Sequence, residues 1–291
     1  MHLLLPFLAS ILFVGGLICL KRVGENEVSP VTVLFASNIA AAFIFPLLWF
    51  LGGELPPWGF WWQPLVISIL YMMGLLFTFA AINRGDVSVA TPVLGVKVLF
   101  VTILLAVSRI SQPSATIWYA ALMATLGIAL IQYTGTGRPR RIVLTILLAM
   151  CAASSYATFD VLVQRWAPAW GAGRFLPVVF GMVGILSAPM IPWTQWEAVK
   201  ADRKVAGLLA LGSVLIALQA VCIVSTLSIF GDAARVNVVY GLRGLWSVLL
   251  AWVVARIWGG AERHLSRRAL ATRFAGAGLL TAAVVAVVLD S

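Results

Sequence analysis

Two cations stand where an apolar chain rarely keeps them. Lys97 is the single charged residue of "VLGVKVLFV" (93–101), and Arg243 interrupts "NVVYGLRGLWSVLL" (237–250). Each is the tenth residue of an apolar segment, 88–108 and 234–255. A continuous helix over either segment puts its cation near mid-membrane, about 15 Å from the interface and beyond side-chain reach. Facing lipid there costs at least about 2.5–3.5 kcal/mol, so each cation must face protein or a wet cavity. The chemistry open to such a pair is capture of an anion by charge-assisted hydrogen bonds. The alternative is a structural ion pair. Asp160, in "SSYATFDVLVQR" (154–165), is the acid lying clearly inside a segment, and it can neutralise one cation, not both. Asp86 and Asp232 lie about 11 residues before each cation, some 16 Å along a helix axis. Asp160 therefore has three readings: a proton carrier, a seat for an ammonium group, or the partner of Lys97, Arg243 or Arg165. It lies close to the expected end of its helix. Tyr240 shares the face of Arg243 at 100° per residue, and Asn237 is less favourably turned. Both are candidate substrate-binding residues beside the two cations.

The elements that position these residues follow from composition. The chain has 291 residues, 62% hydrophobic and 10% charged, against about 25% charged in a soluble domain. Ten apolar segments approach the length of about 20 residues that a crossing helix needs: 3–20, 31–51, 64–82, 88–108, 114–133, 142–163, 175–192, 205–229, 234–255 and 270–289. Segment 3–20 reads as the first membrane helix rather than a leader, since no basic residue precedes it. Turn or charge signals such as "GGELPPWG" (52–59) and "TGTGRPRR" (134–141) separate the segments. Trp58, Trp61 and Trp62 read as an interfacial belt. No segment alternates as a barrel strand does, so the fold class is all-α and integral to the membrane. The net charge of +10 is scattered through short inter-segment clusters, which is a membrane-loop pattern and not a nucleic-acid footprint. Both histidines lie outside the apolar segments, and the three cysteines include no CxxC pair. Neither a metal nor another cofactor is expected. No GxxxxGK[ST], HExxH or GxSxG motif occurs, so an enzyme is not expected either.

The chain also repeats itself. Shifted by 146 residues, "RGDVSVATPVLGVKVLFVTILL" (84–105) lies over "FGDAARVNVVYGLRGLWSVLLA" (230–251) without a gap. Gly85 meets Gly231, Asp86 meets Asp232, Gly95 meets Gly241, and Lys97 meets Arg243. A shift of 143 places Pro46 over Pro189. The expected halves are 1–137 and 138–291, each with five helices. Five is odd, so the second half enters the membrane inverted. Inverted repeats are a recurring plan of secondary transporters, with the substrate between the halves.

Ten helices in two such halves resemble the EamA-type members of the drug/metabolite transporter superfamily. The stretches that carry the likeness are "AAINRGDVSVATPVLGVKVLFVTILL" (80–105) and "STLSIFGDAARVNVVYGLRGLWSVLL" (225–250). The second copy has Val238 where the first has Pro92. The resemblance implies a multi-pass carrier of the plasma (inner) membrane with alternating access. Its sugar-phosphate exchangers are similar in placing basic residues on the fourth and ninth helices, where Lys97 and Arg243 fall. The expected substrate is thus a small, phosphorylated or carboxylated anion. Coupling to a proton or counter-substrate stays open, as does a homodimer. The rival carriers export amino acids or amphipathic drugs, with Asp160 receiving the amine, or flip an anionic lipid. A non-transporting receptor or assembly subunit is the rival of another class. Charge bias in the loops puts both termini outside, whereas the resemblance implies cytoplasmic termini. On the anion reading, neutralising either cation weakens binding and leaves the melting point of the empty protein unchanged.

Overall fold

The computed structural model describes residues 2–84, 87–132, 142–246, 249 and 267–290. Among them there is helix and no strand, as the unbroken apolar segments require. The helices are α1 (Leu4–Gly24), α2 (Pro30–Ile44), α3 (Trp62–Arg84), α4 (Val87–Leu94), α5 (Lys97–Val107) and α6 (Ala115–Gln132). There follow α7 (Ile142–Trp170), α8 (Ala172–Leu186), α9 (Trp196–Ala201), α10 (Arg203–Phe230), α11 (Ala233–Tyr240) and α12 (Arg267–Leu289). Among the described residues six stretches are long and apolar enough to cross a membrane: Leu4–Gly24, Pro30–Leu51, Trp58–Ile82, Ile142–Trp170, Arg203–Phe230 and Ala271–Leu289. Pro92–Val107, Ala115–Ile131 and Ala172–Leu186 are shorter apolar helices. The Gly85–Asp86 end of the first repeat motif and the loop at 134–141 lie outside the described residues.

The chain forms two compact units. One comprises Met1–Met72 and Leu162–Gly231, the other Met73–Val161 and Asp232–Ser291. Each draws on both expected halves, so compactness does not follow the order of the chain. In the first unit α1 packs along α10, with the bare face of Gly16 against Ile216. Phe45 and Phe180, both fully buried, stack with ring centroids 3.6 Å apart. Several of its buried polar side chains bond to neutral partners. Asn38 Nδ2 donates to Ser187 Oγ at 2.9 Å, and Ser68 Oγ donates to the Val179 carbonyl at 2.9 Å. The expected aromatic belt is a set of ring contacts: Trp58 stacks on Trp61 at 4.7 Å, and Trp62 meets Trp166 edge-on at 5.0 Å. Trp58 stays 82% exposed, as an interface anchor would. α2 and α8 share a detail that matches the 143-residue shift. Each gives way to a 3₁₀ turn, Phe45–Leu51 and Ala188–Trp193, at Pro46 and Pro189. Proline lacks the N–H that would continue the α ladder.

In the second unit α6 and α12 lie side by side. A Cβ on Gly127 would stand 2.8 Å from the Gly276 carbonyl oxygen, and one on Gly276 would stand 2.6 Å from that of Gly127. The two backbones touch, which only glycine allows at both positions.

Two sequence expectations need correction, the first of them in this unit. The segment 88–108 is not one helix. It breaks at Gly95–Val96 between α4 and α5. Pro92 removes a donor, and the carbonyls of Pro92 and Val93 bond three residues ahead, to Gly95 N at 3.0 Å and Val96 N at 3.0 Å. The segment 234–255 breaks at the equivalent place. α11 stops at Tyr240, Gly241–Leu242 form a turn, and helix resumes over 243–246. Here no proline is involved. Gly241 N bonds both the Asn237 and Val238 carbonyls, at 3.0 and 3.1 Å. The second correction concerns α7, which runs to Trp170 instead of ending near 163. Gln164 and Trp170 are buried, so packing carries the helix through "QRWAPAW" despite its polar and proline residues.

Candidate functional site

The two breaks give the cations a new setting. Lys97 is the first residue of α5, and Arg243 is the first residue of the helix that resumes after α11. Each follows its glycine by two positions. Neither sits in the middle of an unbroken helix, where the sequence count put it. A lysine at a helix start is ill-placed with respect to the macrodipole, which already makes that end positive. Something negative must offset it.

That partner is Asp160. Lys97 Nζ lies 2.7 Å from Asp160 Oδ2. Asn237 Nδ2, on α11, donates to the same oxygen at 2.6 Å and to the Ala233 carbonyl at 2.9 Å. One carboxylate oxygen thus ties α5, α7 and α11 together. Asp160 keeps 2% of its side chain exposed and Lys97 keeps 14%, so the lysine is the more accessible end of the pair. With α7 extended to Trp170, Asp160 lies ten residues from its helix end.

Aromatic rings flank both cations. Lys97 Nζ is 5.8 Å from the centre of the Tyr156 ring, one helical turn before Asp160 on α7. Room for that ring comes from Gly74 on α3, where a Cβ would stand 2.6 Å from Tyr156 Cε1. The Arg243 guanidinium lies over the Tyr240 ring at 4.3 Å. Cation–π contacts of this kind stabilise by about 0.5–2 kcal/mol. Arg243 is also near enough to Lys97 to repel it, and Tyr240 feels both Arg243 and Asp160. All five candidate residues therefore fall in the second unit. Lys97, Asp160 and Asn237 are in direct contact, and Tyr240 and Arg243 pair with each other. Tyr156 is the residue that the sequence did not single out for the site. Its signal was its spacing of four from Asp160, which puts both on one helix face.

One buried glycine face joins the two breaks. The Ile128 side chain, on α6, would meet a Cβ on Gly95 at 2.7 Å and one on Gly241 at 3.4 Å. The cation-bearing turns thus pack against the same residue from the two ends of the chain.

A second ionic cluster sits apart from these residues. Arg235 donates to Asp232 Oδ2 at 3.0 Å and to Asp290 Oδ2 at 2.8 Å, and Ser114 Oγ donates to Asp290 Oδ2 at 3.0 Å. It ties the start of α11 to the end of α12. Among the described residues no group of histidine, cysteine, aspartate and glutamate could hold a metal ion.

Residues 1–133 match the EamA-like transporter family, which bears out the resemblance read from the repeat motif over that part of the chain. A solved structure described only as "Crystal structure of protein" is 18% identical, with a TM-score of 0.67 over 99% of this chain and 96% of that one. At that identity the likeness shows the fold alone. No curated protein matches the chain. The matched family is one of transporters rather than enzymes. Among the described residues six helices are long and apolar enough to cross a bilayer, which suits a multi-pass membrane protein.

Proposed function

We propose that this protein is a secondary carrier for a small anionic metabolite, phosphorylated or carboxylated, in the plasma (inner) membrane. Lys97 and Arg243 hold the anion, with Tyr240 and Asn237 beside them, and Asp160 sets the charge of the site. The observation that carries the reading is the placement of both cations at matching breaks, two residues after Gly95 and Gly241. Broken helices are how transporter folds present groups to a substrate, and the start of an 11-residue helix such as α5 adds its own positive end to Lys97. With all three groups charged, Lys97, Arg243 and Asp160 sum to one net positive charge. That balance favours an anion over an amine, which sets the anion reading above export of amino acids or amphipathic drugs.

A purely structural role explains less. A buried ion pair seldom holds helices better than apolar side chains of similar volume would. The ten-crossing, inverted plan with halves 1–137 and 138–291 belongs to this proposal. The shared glycine breaks and the prolines that end α2 and α8 support it. Purified protein warmed with phosphorylated sugars, nucleotides, carboxylates and amino acids in turn provides the test. An anion that binds the folded form raises the melting point, by about 2.7 kcal/mol of stabilisation at a hundredfold excess over Kd. Stabilisation by amines and by no anion would overturn the reading.

A further inference from the structure

Asp160 occupies the place on Lys97 that an anion would need. Its Oδ2 sits 2.7 Å from Nζ, at ordinary charge-assisted hydrogen-bond distance, and is nearly inaccessible. The carboxylate is an internal anion already seated on the substrate's cation. A second anion can take Lys97 only if Asp160 lets go, and a buried carboxylate that lets go of its cation must be neutralised. From this geometry we infer that proton and anion bind together: a proton moves from solution onto the Asp160 carboxylate, its negative charge is cancelled, and Lys97 passes to the arriving anion. The groups that face Asp160 suit this exchange. Asn237 on α11 can turn its amide and accept from the new O–H with its carbonyl oxygen. Tyr156 on α7 flanks Lys97, while Tyr240 on α11 and Arg243 beyond it act on the site electrostatically. On release the anion departs, Asp160 loses its proton to the side that received the anion, and the ion pair re-forms. One proton and one anion have then moved in the same direction. The inference rests on the carrier reading and adds its coupling.

Thermodynamic linkage fixes the signature. If the anion favours the protonated site, the proton favours the anion-loaded site by the same factor. Anion affinity then rises as pH falls, by up to about tenfold per pH unit for one linked proton. The experiment measures binding of inorganic phosphate to the full-length purified protein and to Asp160→Asn, at acidic and neutral pH. The ratio of the two affinities cancels the ionisation of phosphate itself. Asp160→Asn is expected to bind at least as tightly as the parent, with the ratio changing by up to about tenfold per pH unit. Sulfate binding to the parent protein is the second measurement, because sulfate keeps its charge over this range and needs no variant to fold. Its affinity should climb in acid. Asp290→Asn, in the separate ionic cluster, should leave both slopes untouched. Anion binding without pH dependence would overturn the coupling and leave the carrier reading standing. Failure of both anions to bind at any pH, in parent and variant alike, would remove the carrier reading and the coupling with it.

Discussion

The two compact units solve the burial of polar groups in opposite ways. In the unit formed by Met1–Met72 and Leu162–Gly231, the buried polar side chains are hydroxyls and amides, and pairs such as Asn38 with Ser187 bond neutral to neutral. Aromatic stacking and close helix contact complete it. In the other unit a lysine, an aspartate and an asparagine meet at one oxygen, beside an arginine on a tyrosine ring. Neutral pairs in a core are settled once formed. Charged ones cost desolvation and leave open the option of exchange, because each partner can be neutralised or replaced. The comparison teaches where change is built in: at the broken helices α4–α5 and at α11, not along α1 and α10.

The largest test of that contrast is Lys97→Met. It strands the Asp160 carboxylate, and removing one partner of a buried pair typically costs about 3–5 kcal/mol. Sequence alone predicts an unchanged melting point for this variant; the 2.7 Å contact reverses that expectation. Adding Asp160→Asn should recover most of the loss. Phe45→Ala, in the neutral unit, should cost a similar amount, about 3–5 kcal/mol, with no second charge change able to rescue it. Thermal melts of the four proteins decide whether the distinction is real.

Next in size is Arg243→Met. Loss of one charge-assisted hydrogen bond to the ligand should weaken anion binding roughly tenfold to a hundredfold, about 1.5–3 kcal/mol, read by titration. An unchanged affinity would confine the site to Lys97. Gly276→Ala forces the α6 and α12 backbones apart and should cost about 1–3 kcal/mol. Gly212→Ala, in the other unit, first meets the flexible Leu20 side chain and then the Cβ of Cys19, and should cost less.

Much of the fold was legible because apolar length is written directly in composition. The segments 64–82, 114–133, 205–229 and 270–289 fall within three residues of α3, α6, α10 and α12 at each end. The breaks were not legible, since Gly95–Val96 and Gly241–Leu242 lie in apolar runs with no polar turn residue beside them. Pro92 and the shared glycine were the available signals, and only one copy has the proline. The same oversight misjudged Asn237. Counting 100° per residue from Arg243 assumes an unbroken helix, and the break voids the count. For Asp160 the sequence offered three cationic partners, and only packing could choose Lys97 among them. The end of α7 was missed because Gln164 and Pro168 look like a loop, and only packing buries Gln164 and Trp170.

The smallest expected effect belongs to Asp290→Asn. The Arg235 guanidinium, helped by the Ser114 hydroxyl, holds the Asp290 carboxyl below the ordinary carboxylate range. A carboxylate depressed in the fold stabilises it above its unfolded pKa, about 3.9, and loses that contribution as pH falls through the folded value. The parent should therefore melt slightly above the variant near neutrality, and the gap should close in strong acid. A gap that persisted there would assign the difference to packing instead of charge.

Ile128 has a consequence for heredity. One isoleucine fills the space beside both glycine turns, and the helix that bears it touches α12 backbone to backbone one residue earlier. Substitutions at 95, 128 and 241 are then not independent trials. A larger residue at Gly95 calls for a smaller one at 128, which in turn loosens the packing beside Gly241. Such positions show interaction energies of about 0.5–3 kcal/mol instead of additive effects. A randomised library at these three sites should return survivors as matched sets, with most single changes lost. The residue that couples the two turns lies some 30 positions beyond the first break and more than 100 before the second.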